Sequence, residues 1–229
     1  MGVIAGANIN DNGLIFSLDA ANFRSYSGSG LTSNPLVGNI GATLVNGTGF
    51  SSANGGSFFF DGTNDYIDTN QYPSTISLAS SEFSVCLWVK VADYSLWNSF
   101  ISRTTSNLPT PLDIYTLLND GKIRVFLGSV NGQNFLLSNT PIPLAWTYVS
   151  FTLDSNFVRI YLNGIEDNFS NTIGIPQRVD SSSSIWLGTR ADNFTRMKGN
   201  ISQVHIYNRA LTAKEIKQNY NATKKRYGL

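Results

Sequence analysis

Glu82, Glu166 and Glu215 are the only glutamates in the chain, and they set the first limit on its chemistry. Retaining glycoside cleavage needs two carboxyl groups about 5–5.5 Å apart, one as nucleophile and one as acid/base. Alternate residues of a strand share a face, so a strand-borne acid pair needs carboxylates at alternate positions. No glutamate here stands two residues from an aspartate that has a further glutamate just beyond it. Glu166 and Asp167 are adjacent and point to opposite faces if extended, which reads as charge beside a turn. His205 is the only histidine and Cys86 the only cysteine. One of each cannot build a structural zinc site, and no nucleophile motif accompanies either. Gly28-Ser-Gly30 lacks the Lys-Ser/Thr sequel of a phosphate loop. The chain reads as a non-enzyme, with no catalytic residue assigned.

What remains is hard-oxygen and aromatic chemistry. Asp61, Asn64, Asp65 and Asp68 form the densest oxygen cluster, of the kind that holds calcium at a loop rim. Asp61 and Asn64 also suit a turn, so the expectation is no cofactor, with calcium as the candidate the sequence offers. Planar rings stack on the C–H faces of pyranoses. By strand parity Trp88, Tyr148, Tyr161 and Trp186 face away from the core, with Arg124 and Arg159 as hydrogen-bond donors beside them. Parity leaves open which sheet each strand joins. Packing beneath a helix, a loop or a subunit interface is the competing reading.

Strands must position these residues. Short apolar runs separated by turn residues recur at 14–18, 57–60, 65–69, 82–91, 99–103, 113–119, 122–128, 146–153, 157–163, 184–188 and 200–207. Ala42–Val45 is the one strand-like run in the Gly/Ser/Asn-rich stretch 23–56. In 82–91, Phe83, Val85, Leu87, Val89 and Val91 share one face, and Ser84, Cys86, Trp88 and Lys90 the other. Asp61-Gly-Thr-Asn predicts a hairpin between 57–60 and 65–69, and Asn119-Asp-Gly, Asp154-Ser-Asn and Asn163-Gly predict three more tight turns. The period changes at the C-terminus, where a helix is predicted over 212–221. Thr212 is its N-cap and Glu215 closes a capping box, with Leu211 and Ile216 as a staple. The basic tail Lys224-Lys-Arg-Tyr is expected to fray.

Roughly a dozen strands make two packed sheets, an all-β antiparallel β-sandwich with a short C-terminal helix. One domain is expected over 13–229, preceded by an N-terminal arm over 1–12. A net charge of +1 from 16 Lys+Arg and 15 Asp+Glu gives no field for nucleic acid or an anionic membrane. No membrane-length apolar run and no signal-peptide pattern is visible.

Four segments resemble the laminin-G-like, concanavalin A-like jelly rolls of the lectin/glucanase type. They are Ser57-Phe-Phe-Phe-Asp-Gly-Thr-Asn-Asp-Tyr-Ile, Phe83-Ser-Val-Cys-Leu-Trp-Val-Lys, Trp146-Thr-Tyr-Val through Val158-Arg-Ile-Tyr-Leu-Asn-Gly, and Gly199-Asn-Ile-Ser-Gln-Val-His-Ile-Tyr-Asn-Arg-Ala-Leu-Thr-Ala-Lys-Glu-Ile. Many calcium-binding relatives carry Gly-x-Ile-Asp in the last strand, whereas this chain has Ser202 at the aspartate position, which removes a charged ligand. Gly13-Leu-Ile-Phe-Ser-Leu-Asp-Ala-Ala-Asn, Leu44-Val-Asn-Gly and Ser51-Ser-Ala-Asn-Gly-Gly-Ser-Phe are similar to a subset found in bacteriophages. The resemblance implies a virion protein made in bacterial cytoplasm, a homo-oligomer that contacts other virion proteins and binds host surface polysaccharide. A purely structural capsid decoration or tail-fibre assembly role, without glycan binding, is the alternative it implies.

Overall fold

The computed structural model describes residues 8–78, 82–103, 112–129, 132–171, 182–190 and 194–229. In chain order the strands are β1 (Leu14–Asp19), β2 (Thr32–Ser33), β3 (Ala42–Val45), β4 (Gly49–Ser51), β5 (Ser57–Asp61), β6 (Tyr66–Asp68), β7 (Phe83–Val91) and β8 (Ser99–Arg103). They continue as β9 (Leu112–Thr116), β10 (Lys122–Ser129), β11 (Gly132–Pro141), β12 (Thr147–Leu153), β13 (Phe157–Leu162), β14 (Ile165–Asn171), β15 (Trp186–Leu187) and β16 (Lys198–Tyr207). Helix α1 (Ala213–Thr223) and a 3-10 turn (Lys224–Tyr227) follow.

The first sheet runs β14-β13-β12-β7-β16-β5-β4, with β1 also paired to β16, and the second runs β11-β10-β9-β8-β15-β6-β3-β2. The expected two-sheet jelly-roll sandwich is what forms. Between the sheets lies one apolar core. The period-2 face of β7 (Phe83, Val85, Leu87, Val89, Val91) meets Ile101, Ile114, Val125 and Leu187 from the second sheet in it. Burying each such side chain contributes roughly 1.5–3 kcal/mol, which is why alternation decides the register.

Turn chemistry closes the local pairs. Asn163 and Gly164 take φ of 51° and 76°, the left-handed pair that joins β13 to β14 with the twist of the strands. The predicted hairpins of β9 with β10 and β12 with β13 form.

Two expectations are corrected. β5 and β6 do not pair: β5 lies in the first sheet against β4 and β16, and β6 in the second against β3 and β15. The Asp61–Asn64 turn therefore carries the chain across the sandwich, so that Phe58 and Phe60 enter the core from one side and Ile67 from the other. The tail is not frayed. Tyr227 is buried, and Arg226 reaches Asp19 at 2.7 Å, the Gly56 carbonyl at 2.7 Å and the Asn54 carbonyl at 2.8 Å. Residues 8–12, the described part of the expected arm, lie against the C-terminal helix. The Asn10 amide donates to Asn219 Oδ1 at 2.7 Å, Tyr207 donates its hydroxyl to the Asn10 carbonyl, and Gln218 donates to the Asn8 carbonyl. Residues 1–7 lie outside the described part. β11 is an addition: its polar sequence Gln133-Asn134 and Ser138-Asn139-Thr140 hides the strand period.

Candidate functional site

Of the aromatic residues that parity turned away from the core, three go under the helix. Trp88, Tyr148 and Tyr161 keep 0%, 1% and 2% of their surface and join Cys86, Tyr207, Leu211, Ile216 and Tyr227 in a second apolar cluster. The expectation that these rings are exposed platforms is corrected, and the cause is α1. The predicted capping box forms, with Glu215 N–H donating to Thr212 Oγ1 and the Thr212 amide donating to Glu215. The helix so started lays Ile216 and Tyr220 on the outer face of β7 and β12. Trp88 stacks on Tyr227 at 4.0 Å, approaches Tyr148 at 5.2 Å, and donates its indole N–H to Thr223 at 2.8 Å.

Arg159 is spent one strand in from the sheet edge, 2.7 Å from Asp154 and 3.5 Å from Glu166, with its guanidinium over Phe157. Burial pushes the Cys86 thiol up to about 11 and holds His205 down to about 4. Both are structural parts of this covered face, and His205 Nδ1 lies 3.1 Å from Ser17 Oγ.

The oxygen cluster is divided by the crossover. Asp65 Oδ2 accepts from the Asp61 amide at 2.9 Å and Asp61 Oδ1 from the Thr63 amide at 2.6 Å. The Asn64 carbonyl accepts from Asn46. Asp68 lies one strand on, taking bonds from the Asn70 amide and the Ser184 hydroxyl. Among the described residues no group of three or more His, Cys, Asp and Glu is placed to hold a metal.

Trp186 and Arg124 occupy the outer face of the second sheet, over which no described helix lies. Strand register brings Thr43, Asp68, Trp186, Ser102, Asp113, Phe126 and Phe135 into one row across seven strands. The residue beside each on the inner side, from Leu44 to Leu136, belongs to the core. At one end Trp186 stacks on Tyr66 with ring centroids 4.3 Å apart, and its indole N–H donates to Ser184, which in turn donates to Asp68. Both rings are half-buried, so this pair is held in place and still partly open to solvent. In the middle Ser102 and Asp113 are buried, and Arg190 lies 3.7 Å from Asp113. Ser102 Oγ has no hydrogen-bond partner among the described residues.

At the other end Tyr115 stacks with Trp97 at 5.9 Å, and Phe194 meets Trp97 edge-on at 4.6 Å. Burial raises the Tyr115 phenol pKa against the opposing charge of Arg124. Sequence reasoning missed Tyr66, Trp97, Asp113, Tyr115, Arg190 and Phe194. Parity with Ile67 and Ile114 would have found Tyr66, Asp113 and Tyr115. Trp97, Arg190 and Phe194 lie outside the regular strands and carry no periodic signal.

Comparison with known proteins gives the lineage of this architecture. The profile described as the concanavalin A-like lectin/glucanases superfamily matches residues 61–217. No curated protein matches the chain. Among solved structures, domain 4 of AbnA, a GH43 extracellular arabinanase from Geobacillus stearothermophilus in complex with arabinotriose, is 19% identical with a TM-score of 0.66. That alignment covers 92% of this chain and 100% of the domain. The receptor binding domain of botulinum neurotoxin C/D mosaic serotype is 17% identical at TM-score 0.69, covering 91% of this chain and 51% of that one. Trypanosoma rangeli sialidase in complex with the inhibitor DANA is 13% identical at TM-score 0.67, covering 96% and 34%. At these identities the likeness is one of fold.

Proposed function

The chain belongs to the concanavalin A-like lectin/glucanases superfamily, and from that premise we propose that it is a non-catalytic glycan-binding module whose ligand lies on the outer face of the second sheet. The stacked Tyr66–Trp186 pair carries this reading. Its rings are planar, pinned from below by the Ser184–Asp68 hydrogen bonds, and flanked by polar groups that can orient sugar hydroxyls. The arabinotriose bound to the arabinanase domain supports a saccharide as the ligand class. Two of the three glutamates are engaged away from this face, which supports a binding role. Glu215 is committed to Arg209 and the helix cap, and Glu166 sits by Arg159 at a sheet edge.

The phage resemblance leads us to place the module on a virion surface, presenting many copies to host polysaccharide. Multivalent display turns a weak single site into firm attachment.

A glycan array that includes bacterial cell-surface polysaccharides, probed with multivalent protein in calcium and again in EDTA, tests the proposal. Saturable binding is expected, and Trp186→Ala should weaken it about tenfold, about 1.4 kcal/mol. EDTA should leave it unchanged, because Asp61, Asp65 and Asp68 are already engaged by protein donors. Silence from folded protein in both buffers would overturn the lectin reading. It would favour an assembly role through exposed apolar side chains such as Phe23 and Leu31, which are 81% and 68% exposed.

A further inference from the structure

We infer that the glycan is acidic and that Arg124 recognises its carboxylate, an assignment that rests on the glycan-binding reading above. The described arginines differ in their partners. Arg159, Arg190, Arg209 and Arg226 each lie within 4 Å of a carboxylate: Asp154, Asp113, Glu215 and Asp19. Buried Arg103 donates to the Ile76 and Gln71 carbonyls at 2.6 Å. Arg24 and Arg196 are exposed. Arg124 is half-buried, and among the described residues it is the one covered guanidinium with no acid or carbonyl partner. Its Nε is buried without an acceptor. A covered cation kept without a counter-ion is costly, and such a group is a ready site for an anion.

The surroundings select the anion. The guanidinium carbon lies 4.1 Å from the Phe135 ring centroid, 5.9 Å from Phe126 and 6.0 Å from Tyr115. The rings pack around the guanidinium, with the Tyr115 phenol beside its charge, and a planar acceptor suits the guanidinium's N–H edge. A carboxylate meets that edge with two parallel hydrogen bonds, a geometry that lysine cannot offer. Lys122 stands two residues away on the same strand face, and Asp113, the nearby acid of the row, is shared with Arg190. Among the described residues the local balance is therefore positive.

Arg124 on β10 is three strand spacings from Trp186 on β15, about 14 Å across the sheet. An oligosaccharide bridging the buried Ser102–Asp113 centre would set one sugar on the Tyr66–Trp186 pair and a uronic or sialic type of residue at Arg124.

The test compares immobilised oligogalacturonate, oligomannuronate and sialyllactose with their carboxyl-reduced or desialylated counterparts, and with a sulfated oligosaccharide, against the intact chain. At least one acidic ligand should bind about tenfold or more tighter than its neutral partner, the size of one charge-assisted pair. Arg124→Gln should erase that preference, read as the ratio of acidic to neutral affinity in protein shown to be folded by its melting transition. Arg124→Lys should restore only part of it. Equal binding of acidic and neutral partners would overturn the carboxylate assignment and leave the glycan reading standing. Preference for the sulfated ligand would overturn it in favour of a general anion site. No binding to any sugar would overturn both readings.

Discussion

The two outer faces of the sandwich begin from the same kind of residue and end in opposite roles. Each presents tryptophan and tyrosine at alternate strand positions. On the first sheet, α1 and the Lys224–Tyr227 turn cover Trp88, Tyr148 and Tyr161, and the rings become a second core. On the second sheet, Tyr66 and Trp186 stack on one another and stay half-open, beside buried Ser102 and an Asp113 paired with Arg190. An outward aromatic is thus only half a signal. Whether it stabilises or binds depends on what the rest of the chain lays over it.

Paired substitutions should separate the faces. Trp88→Ala removes a fully buried indole with three ring neighbours and a hydrogen bond, so it should cost about 3–5 kcal/mol in denaturant melts. Trp186→Ala should cost about 1 kcal/mol or less in the same melts and show its effect in glycan binding. Equal destabilisation by both would break the comparison.

A second contrast uses pH. Burial holds His205 at about 4 against an ordinary value of 6.5, with Asp19 opposing and Arg226 assisting. The unfolded chain then binds the extra proton between those values. The stability this neutral imidazole supports is full above pH 6.5, falls as pH drops toward 4, and levels off below, by at most about 3 kcal/mol. Chemical denaturation across pH should show that slope in the native chain, and His205→Gln should flatten it. The smallest expected effect is Thr212→Ala, which removes the helix cap and should cost about 1 kcal/mol in the same melts. Glycan affinity should not change, since the cap lies on the covered face.

Much of the fold was legible because the local rules agreed. The β7 alternation, the Asn163-Gly164 turn and the Thr212–Glu215 box each depend on neighbours within a few residues. The failures came where distant chain decides. The Asp61–Asn64 turn looks like a hairpin turn, yet β5 and β6 each find better partners elsewhere. The tail looks like solvated charge, yet Arg226 finds an aspartate and two carbonyls from residues 19, 54 and 56. The candidate site suffered most, because its rings arrive from segments as far apart as Tyr66 and Phe194. Strand parity names a face, and only the topology tells which face is shared and which is roofed.

The docking of both described ends has a mechanical consequence. Asn8 and Asn10 are tied to Gln218 and Asn219 of α1, so the first described residues and the C-terminal helix share the side of the first sheet. A tether fused to the C-terminus would therefore pull from the roofed side and turn the second sheet away from its support. Load carried by a bound ligand would cross the thickness of the sandwich, through the interlocked side chains between the sheets, before it reached the anchor.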